Sequence, residues 1–430
     1  MLNRTGIPCP GALLVLAFVA VDVIGTRESS SQEELTLPQA IELLRAREPQ
    51  AVIKAAELIG SKGVEAAEAV PVLAEVLEPN APPVRVAILH ALGKIGPKAV
   101  AAAPQVIARL DDPDLVDDTP VWQVASRTLA QMGPDVVPSL LPLLDPRHPQ
   151  RYLGACAALE QLGPAAKPAL PKLLELATYN PPDCQPALFV LRALGKEAKE
   201  ALPTLMKQLD SPDFHTQYLA CRVLGALGEH GQPATEKLCQ LLAGGVASVR
   251  RNAAAALGQI GPSIGPEGIT ALIQAVSDPL EPVREEAVIA LGRLGPAAAS
   301  AVPVLKEAIT TDRLAAKARA AGALYRIDPA EEPLVMAVLL RELNSPDAPW
   351  AAAEELAYVA PRAKRVADVA ALLKAEHEET RAMAALALGG MGKAAEPYLA
   401  ELERLAQDRD VDQEVREYAQ EAIQKIRQSQ

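Results

Sequence analysis

One short phrase recurs along most of the chain and constrains what it can fold into. An apolar segment ends in Leu-x-x-[Ile/Leu/Met]-Gly-Pro, with clear copies at 92–97, 129–134, 159–164, 257–262 and 291–296. Weaker copies end at Gly60, Gly195, Gly228, Asp328, Ala360, Gly392 and Arg427. Successive ends lie 30 to 37 residues apart. A fixed period of this length is typical of repeat architectures, so we expect about twelve units of roughly 33 residues.

Each unit is predicted to contain two helices. The terminal Gly suits the left-handed αL conformation that closes a helix, and a following Pro cannot continue that helix. An Ala-rich helix A follows, such as 298–309, and a turn with Asp-Pro or Ser-Pro-Asp then leads into helix B, such as 282–294. Asp and Ser in this turn can cap the next helix. Helix A should be kinked or split at a recurrent proline, found at Pro71, Pro104, Pro171, Pro203 and Pro303.

The apolar pattern of helix B predicts how the units stack. An apolar residue precedes the helix end by four positions in nearly every copy: Leu92, Leu129, Leu159, Leu191, Leu224, Leu257, Leu291, Leu324, Leu356, Leu388 and Ile423. Glycine often follows it: Gly93, Gly225, Gly258, Gly292 and Gly389. Glycine inside a helix costs about 1 kcal/mol relative to Ala, so its recurrence predicts close contact between neighbouring helices. Because one helix pair cannot bury its apolar face, we expect an all-α solenoid with essentially no sheet.

The repeats resemble the HEAT family, and in particular its bacterial variant related to phycobilin-lyase HEAT-like repeats. The resemblance covers 38–430 and depends on Asp-Pro between the helices, on Ala-Leu-Gly-x-Ile-Gly at the end of helix B, and on Val-Arg at its start, which occurs at 84–85, 249–250, 283–284 and 415–416. It implies a superhelix with an Asp–Arg ladder between repeats. Asp278 with Arg284 and Asp410 with Arg416 fit that ladder. The middle repeats depart from it, with Trp122, Tyr152, Cys184 and Gln217 at the Arg position.

The N-terminal residues have a pattern that is typical of a targeting segment. Arg4 precedes an apolar stretch at 11–21 that is too short to span a bilayer, and the small residues Val23 and Gly25 favour cleavage before Thr26. We therefore predict an export signal at 1–25, a polar linker at 26–37 and a periplasmic or extracellular solenoid without a membrane span. The alternatives are a retained N-terminal anchor and a non-functional or misassigned start.

No sequence pattern predicts catalysis. The chain has no P-loop, HExxH or CxxC motif, and its five His residues are scattered over different repeats. The GxSxG string at 261–265 begins with the closing Gly-Pro of a repeat. The formal net charge of −12 disfavours a general affinity for nucleic acid. We therefore predict a non-enzymatic protein with no catalytic residue and no cofactor.

The acidic loop at 111–118 lies in the longest repeat interval and is predicted to be an insertion. Its carboxylates Asp112, Asp114, Asp117 and Asp118 make a weak candidate for a cation site, although the loop lacks the Gly and the terminal Glu of an EF-hand. The alternative is a solvated acidic turn.

The cysteines have no dense disulfide pattern. Cys156 and Cys221 occupy equivalent positions where other repeats have Ala or Val, so they are predicted to be small core residues. A Cys221–Cys239 disulfide between neighbouring helices is the alternative.

The candidate binding surface lies on the B helices, which line the concave side in HEAT-like solenoids. Aromatic residues form only 3% of the chain, and aromatic and arginine side chains dominate binding hot spots. The alternative is that these rings fill gaps between Ala-rich helices. The candidate partner-binding residues are Arg127, Tyr152, Phe189, Arg192, Tyr218, Arg222, Arg251 and Trp350.

The sequence thus predicts a scaffold that binds a protein or peptide partner, whose identity it does not reveal. Two other functions remain open. One is an accessory subunit for cofactor or chromophore chemistry of the bilin-lyase kind, and the other is a nucleic-acid binder that would use an arginine stripe on the inner face.

Overall fold

A computed structural model describes residues 35–78, 80–310, 317–344 and 350–429 of the chain. The predicted export signal at 1–25 lies outside these residues. Within them the chain forms twelve helix pairs, numbered in chain order so that odd helices are A and even helices are B. Each B helix packs against the B helices before and after it, which gives one continuous row. The predicted all-α solenoid of about twelve repeats is confirmed.

The α-helices have the following bounds. The B helices are α2 Pro49–Lys62, α4 Pro82–Ile95, α6 Val121–Gln131, α8 Pro149–Leu162, α10 Gln185–Leu194, α12 Phe214–Ala226, α14 Ala247–Ile260, α16 Glu281–Leu294, α18 Lys317–Ile327, α20 Trp350–Arg362, α22 Glu378–Met391 and α24 Gln413–Gln428. The A helices are α1 Leu37–Leu43, α3 Val70–Val76, α5 Ala103–Ile107, α7 Val137–Leu140, α9 Leu170–Leu176, α11 Leu202–Gln208, α13 Thr235–Gly244, α15 Gly265–Ala275, α17 Val302–Thr310, α19 Glu332–Leu343, α21 Val366–Ala371 and α23 Leu399–Gln407.

Most A helices are split, as the recurrent proline predicts. Pro71, Pro104, Pro171 and Pro203 lie in the first turn of α3, α5, α9 and α11, where the missing N–H leaves no hydrogen bond unmade. A 3-10 helix joins the preceding B helix to each of them. The 3-10 helices are Gly63–Ala69, Gly96–Ala102, Ala108–Asp111, Pro134–Val136, Leu141–Leu143, Gly163–Ala169, Gly195–Ala201, Gly228–Ala234, Pro262–Ile264, Gly295–Ala301, Pro329–Glu331, Leu372–Lys374 and Gly392–Tyr398.

The closing glycines do not adopt the αL conformation. Gly96 has φ 70° and ψ −136°, and Gly163 has φ 57° and ψ −132°. Their φ is positive, as expected, but their ψ lies far from the αL value near +47°, in a region that a Cβ makes unfavourable. This geometry starts the 3-10 helix directly, so the chain turns without a separate loop.

The first repeat ends three residues later than the sequence predicts. Gly60 is buried inside α2, which continues to Lys62, and Gly63 is the residue with positive φ. Gly60 therefore corresponds to Gly93, the packing glycine, and not to the closing Gly96. With this correction the first interval is the ordinary 33 residues, from Gly63 to Gly96.

The apolar residues of helix B form the core. Leu92, Leu257 and Leu291 are fully buried, as are their equivalents in most repeats. The packing glycines touch the next B helix: a Cβ on Gly258 would lie 2.7 Å from the Cα of Ala290, and one on Gly389 would lie 2.9 Å from the Cα of Ala422. The predicted close approach between neighbouring B helices is confirmed.

The insertion at 111–118 forms the sole sheet among the described residues, where the sequence predicts essentially none. Strand β1 (Leu115–Val116) pairs antiparallel with β2 (Thr119–Pro120). Asp117 and Asp118 connect them with φ 47° and 60°, as a tight two-residue hairpin turn requires. The hairpin accommodates the extra residues of the longest repeat without disturbing the stacked helices.

Two helical stretches, Pro82–Asp111 and Glu281–Thr310, are long and apolar enough to cross a membrane. Each combines the B helix of one repeat with helix A of the next, and 56% and 44% of their most apolar windows are buried inside the protein. Packing in the solenoid core therefore accounts for their composition.

Candidate functional site

Polar links between repeats fix the orientation of successive B helices. Arg250 on α14 donates from Nε and from a terminal nitrogen to the two carboxylate oxygens of Asp278, at 2.8 and 2.9 Å. Asp278 belongs to the turn before α16, so the pair joins two repeats. The side chains are 17% and 9% exposed, and the hydrogen bond with Arg250 lowers the pKa of Asp278. A largely buried carboxylate that is paired in this way is a structural link.

The ladder pairs different residues from those that the family resemblance implies. Asp278 pairs with Arg250 of the preceding repeat, while Arg284 donates to the backbone oxygen of Asp278 at 2.8 Å and pairs with Glu281. Arg416 donates to the backbone oxygen of Val411. The expected pairings of Arg284 with the Asp278 carboxylate and of Arg416 with the Asp410 carboxylate are therefore wrong, because each Arg donates to backbone carbonyl groups of the turn.

In the middle repeats other side chains replace the arginine. Tyr152 on α8 is 2% exposed, and its hydroxyl donates to the backbone oxygen of Asp183 at 2.8 Å. Gln217 donates to the backbone oxygen of Leu209 at 3.2 Å. Tyr152 was a candidate partner-binding residue, and this placement corrects it: the ring lies in the interface between repeats, because it occupies the ladder position.

The other candidate residues lie on one surface, which we call the B-row surface and define by the exposed and half-exposed side chains of the B helices. Arg127 and Trp350 are exposed there, and Arg251 is exposed with its Nε 3.7 Å from Glu286. Arg192 is half-exposed and pairs with Glu160 at 2.7 Å. Three further candidates, Phe189, Tyr218 and Arg222, are also half-exposed.

The aromatic side chains of this surface fall into two groups. On α12, the exposed Phe214 and His215 stack with ring centroids 4.2 Å apart, and His215 meets Tyr218 edge-on at 5.8 Å. At the far end of the row, the Trp350 ring is 49% exposed and lies 6.3 Å from the ring of Tyr418. Phe189 and Tyr218 also pack partly against the core, so they both fill gaps and reach the surface.

Phe214, His215 and Tyr418 were not predicted. Phe214 is 45% exposed at the first position of α12, one helical turn before Tyr218, so the i,i+4 spacing on that helix would have identified it. Tyr418 could not have been found in this way. Its contact with Trp350 joins α24 to α20 across the intervening α22, and only the stacking of the repeats determines it.

An ion-pair cluster occupies the B-row surface between α16 and α20. Glu355 is 4% exposed and accepts hydrogen bonds from Arg319 at 3.2 Å and Arg326 at 2.7 Å. Nearby Glu286 lies 3.5 Å from Arg293, and burial raises the pKa of Glu286 against the opposing effect of Arg293 and Arg251. The cluster links consecutive B helices.

A cleft of about 390 Å³ opens beside this cluster. Its lining of arginine, glutamate and small apolar side chains contains no Ser, Cys, His or Lys that would act as a nucleophile. Because its carboxylates are already held by arginines, the cleft has ion pairs but no free general base. The lining residues are Ile289, Gly292, Arg293, Arg319, Ala323, Arg326, Glu354 and Glu355.

The acidic loop does not bring its four candidate carboxylates together. Asp112 and Asp114 both pair with Arg85 on α4, and Asp112 is only 8% exposed. Asp117 and Asp118 form the hairpin turn. The candidate cation site at Asp112, Asp114, Asp117 and Asp118 is therefore not assembled. No group of three or more metal-ligating side chains is found elsewhere in the described part of the chain either.

The described cysteines are free thiols, so the alternative Cys221–Cys239 disulfide is not present. Cys156 and Cys221 are buried, as predicted for small core residues. Burial raises the pKa of the Cys221 thiol to about 12, which makes it a poor nucleophile at neutral pH.

Comparison with protein families finds a match in two parts of the chain. The sequence pattern described as HEAT repeats matches residues 37–119 and 235–325. No curated protein matches the chain in sequence. The matched segments cover the first helix pairs and the central ones, and both include the closing phrase from which the period was derived.

Solved structures share the architecture. Two crystal structures of importin beta, from an ammonium sulfate and a polyethylene glycol condition, superpose with TM-scores of 0.52 and 0.51 at 14% identity. Each match covers 91% of this chain and 62% or 65% of importin beta. Kap121p matches with a TM-score of 0.50 at 14% identity, over 91% of this chain and 57% of its own. This chain thus spans about three-fifths of the length of these proteins, and the likeness is one of fold. The chain is an all-α solenoid of helix pairs, in which residues 37–119 and 235–325 match the HEAT repeat pattern.

Proposed function

We propose that this chain is a non-enzymatic scaffold that binds a protein or peptide partner on the B-row surface. The observation that carries the proposal is a line of arginine and aromatic side chains on consecutive B helices, from Arg127 on α6 to Arg251 on α14. These large side chains are exposed or half-exposed. Ala-rich B helices elsewhere in the solenoid stack without such side chains, so the stacking of the repeats does not require them. Arginine and aromatic residues contribute most to protein-binding hot spots.

We further propose that the B-row surface is the concave side of the superhelix. The contact between Trp350 and Tyr418 supports this, because two rings separated by a whole repeat meet at 6.3 Å more easily where the row curves inward. The close approach at Gly258 and Gly389 also supports it, since the inner side of a curved stack has the shorter spacing between repeats. A concave surface could contact one partner through several repeats at once.

Site-specific cross-linking tests the scaffold function. A photoreactive amino acid replaces exposed Gln123 on α6 in one variant and exposed Gln240 on α13, an A helix, in the other. We expect a discrete adduct from position 123 in an extract of the native host, and its loss when Arg127 and Arg222 are both changed to Ala. Equal adducts from both positions, or an adduct that survives the double substitution, would contradict the proposal.

We also propose that the chain belongs to the bacterial variant of these repeats and that it is exported. The Val-Arg and Ala-Leu-Gly-x-Ile-Gly elements favour the bacterial HEAT-like variant, and the segment at 1–25 favours export. Mass spectrometry of the mature N-terminus from a fractionated host tests the export: we expect a chain that begins near Thr26 outside the cytoplasm. An intact Met1 in the cytoplasmic fraction would refute it.

A further inference from the structure

We propose that the B-row surface between α4 and α14 binds an acidic, extended segment of a partner protein that also carries an apolar side chain. The inference rests on the proposed scaffold function and specifies the chemistry of the partner. It depends on the distribution of charge along the row, on cations that lack a counterion, and on apolar side chains exposed between those cations.

The charge of the B helices changes abruptly along the solenoid. The six helices from α4 to α14 contain eight Lys and Arg residues and a single acidic residue, Glu160. The five helices from α16 to α24 contain ten acidic and ten basic residues. Basic residues therefore outnumber acidic residues on the B helices of this segment, although the net charge of the chain is −12.

Carboxylates of the fold neutralise part of this charge. Arg85 pairs with Asp112, and Arg250 pairs with Asp278. Arg151 pairs with Asp111, Arg192 with Glu160 and Arg251 with Glu286. Three cations of the eight, Lys94, Arg127 and Arg222, have no ion pair within the described residues.

Arg222 shows why an external anion would be favourable. Its side chain is half-buried, and its pKa is lowered first by burial and then by the neighbouring Arg192, against the smaller opposing effects of Tyr218 and of Glu160, which pairs with Arg192. A guanidinium that has lost part of its hydration without gaining a carboxylate is unfavourable, and an incoming carboxylate would relieve both the desolvation and the repulsion. Burial lowers the pKa of His90, and Arg127 and Lys94 lower it further, so a second site of uncompensated charge lies on α4 and α6, at the first end of the cationic segment.

Apolar side chains lie between these cations. Leu153 on α8 and Phe214 on α12 are 43% and 45% exposed, and Phe189 on α10 is half-exposed between them. Exposed large apolar side chains that are grouped on one surface mark a site of interaction. The partner segment should therefore place an apolar side chain here and carboxylates on either side of it.

A nucleic acid fits these observations less well. Tight phosphate binding requires many cations that follow a backbone, and here only three are uncompensated. Glu160 and the apolar residues interrupt the stripe, and the net charge of −12 repels a long polyanion from the rest of the molecule. A short acidic peptide has few enough charges to avoid that repulsion.

Fluorescence anisotropy with the full-length protein tests the inference. The probe is a fluorescein-labelled 12-residue peptide, two copies of Glu-Glu-Leu-Glu-Glu-Phe, and the matched peptide has Gln at every Glu. We expect the acidic peptide to bind at least tenfold more tightly than the Gln peptide. Changing Arg192 and Arg222 to Gln should weaken binding at least tenfold. The matched control changes Arg341 and Arg404, exposed arginines of α19 and α23, to Gln and should alter binding less than twofold.

The outcomes separate this inference from the proposed function. Equal affinity for the two peptides, unchanged affinity of the Arg192 and Arg222 variant, or tighter binding of a 12-residue oligo-dT would overturn the acidic-segment inference. If the cross-linked adduct from position 123 persists in that case, the scaffold function stands with a partner of different chemistry. If Arg192→Gln with Arg222→Gln impairs folding, exposed Arg127→Gln provides the same test, with an expected threefold loss; no change would overturn the inference.

Discussion

Replacing Gly258 by Ala tests whether close helix contact explains the recurrent glycine of helix B. An added Cβ would lie 2.7 Å from both the Cα and the Cβ of Ala290 on the neighbouring helix. Ordinary carbon contacts begin near 3.5 Å, so α14 and α16 would have to separate by several tenths of an ångström. Such overpacking typically costs about 1–3 kcal/mol, and the backbone of a stacked helix cannot rotate away as a side chain can.

The chain contains matched controls for this substitution. At Gly244, the last residue of α13, an added Cβ meets nothing within 4 Å. At Gly93 it meets the end of the exposed Gln131 side chain, which can move. Alanine at either control position gains up to about 1 kcal/mol of helix propensity without the clash. The Gly258 and Gly244 variants should therefore differ by about 1–3 kcal/mol, and Gly292, with a contact of 3.0 Å, should fall between them.

Urea unfolding followed by circular dichroism measures the free energy of unfolding of the four Gly→Ala variants, at positions 258, 292, 244 and 93. Because solenoids unfold in local units, amide hydrogen exchange of α14 and α16 provides the second measurement, and it should show faster exchange in Gly258→Ala than in Gly244→Ala. If Gly258→Ala is at least as stable to urea as Gly244→Ala and its α14 and α16 amides exchange no faster, close contact is not the reason for the glycine.

Three further predictions concern links between repeats, all measured by urea unfolding. Asp278→Asn should destabilise by about 1–3 kcal/mol at pH 7, because it removes the carboxylate that holds Arg250. Since the pKa of Asp278 is lowered in the folded state, its contribution is present above its ordinary pKa and lost as pH falls, so the variant should approach wild type near pH 2; a pH-independent difference would contradict this. Glu286→Gln should stabilise the protein at pH 7, because burial raises the pKa of Glu286, and the gain should vanish below the ordinary pKa of the carboxyl; a loss at pH 7 would refute the reasoning. Tyr152→Phe should cost about 0.5–1.5 kcal/mol through loss of its bond to Asp183 and leave the position-123 adduct unchanged; a weaker adduct would place Tyr152 at the binding surface after all.

The repeated sequence pattern predicts most of the local structure. The closing Gly, the following Pro and the apolar register of helix B act within a few residues of one another, so they predict the helix pairs, the split A helices and the buried leucines. The error at Gly60 shows the limit of this information. A glycine at the end of a helix and a glycine at a helix contact look alike in sequence, and only the position of Ala91, 3.2 Å from the added Cβ, distinguishes them.

Relations between repeats were decided by the tertiary structure. Tyr152 was predicted to lie at the binding surface because its sequence position is close to those of exposed residues. Its hydroxyl instead donates a hydrogen bond to the backbone oxygen of Asp183 in the next repeat. Asp278 likewise pairs with Arg250 of the preceding repeat, whereas the sequence favoured Arg284 as its partner in the ladder. Such contacts depend on the rise and rotation from one repeat to the next, which no single repeat encodes.

The sequence by itself therefore determined the repeat, its two helices and the all-α stacked architecture, because hydrogen bonding and apolar periodicity act locally along the chain. The tertiary structure decided which polar side chains remain unpaired at the surface, such as Arg127 and Arg222, and which rings meet across a repeat, such as Trp350 and Tyr418. The physical reason is that burial and ion pairing depend on distances between segments about 30 or more residues apart, which are set when the helix pairs stack.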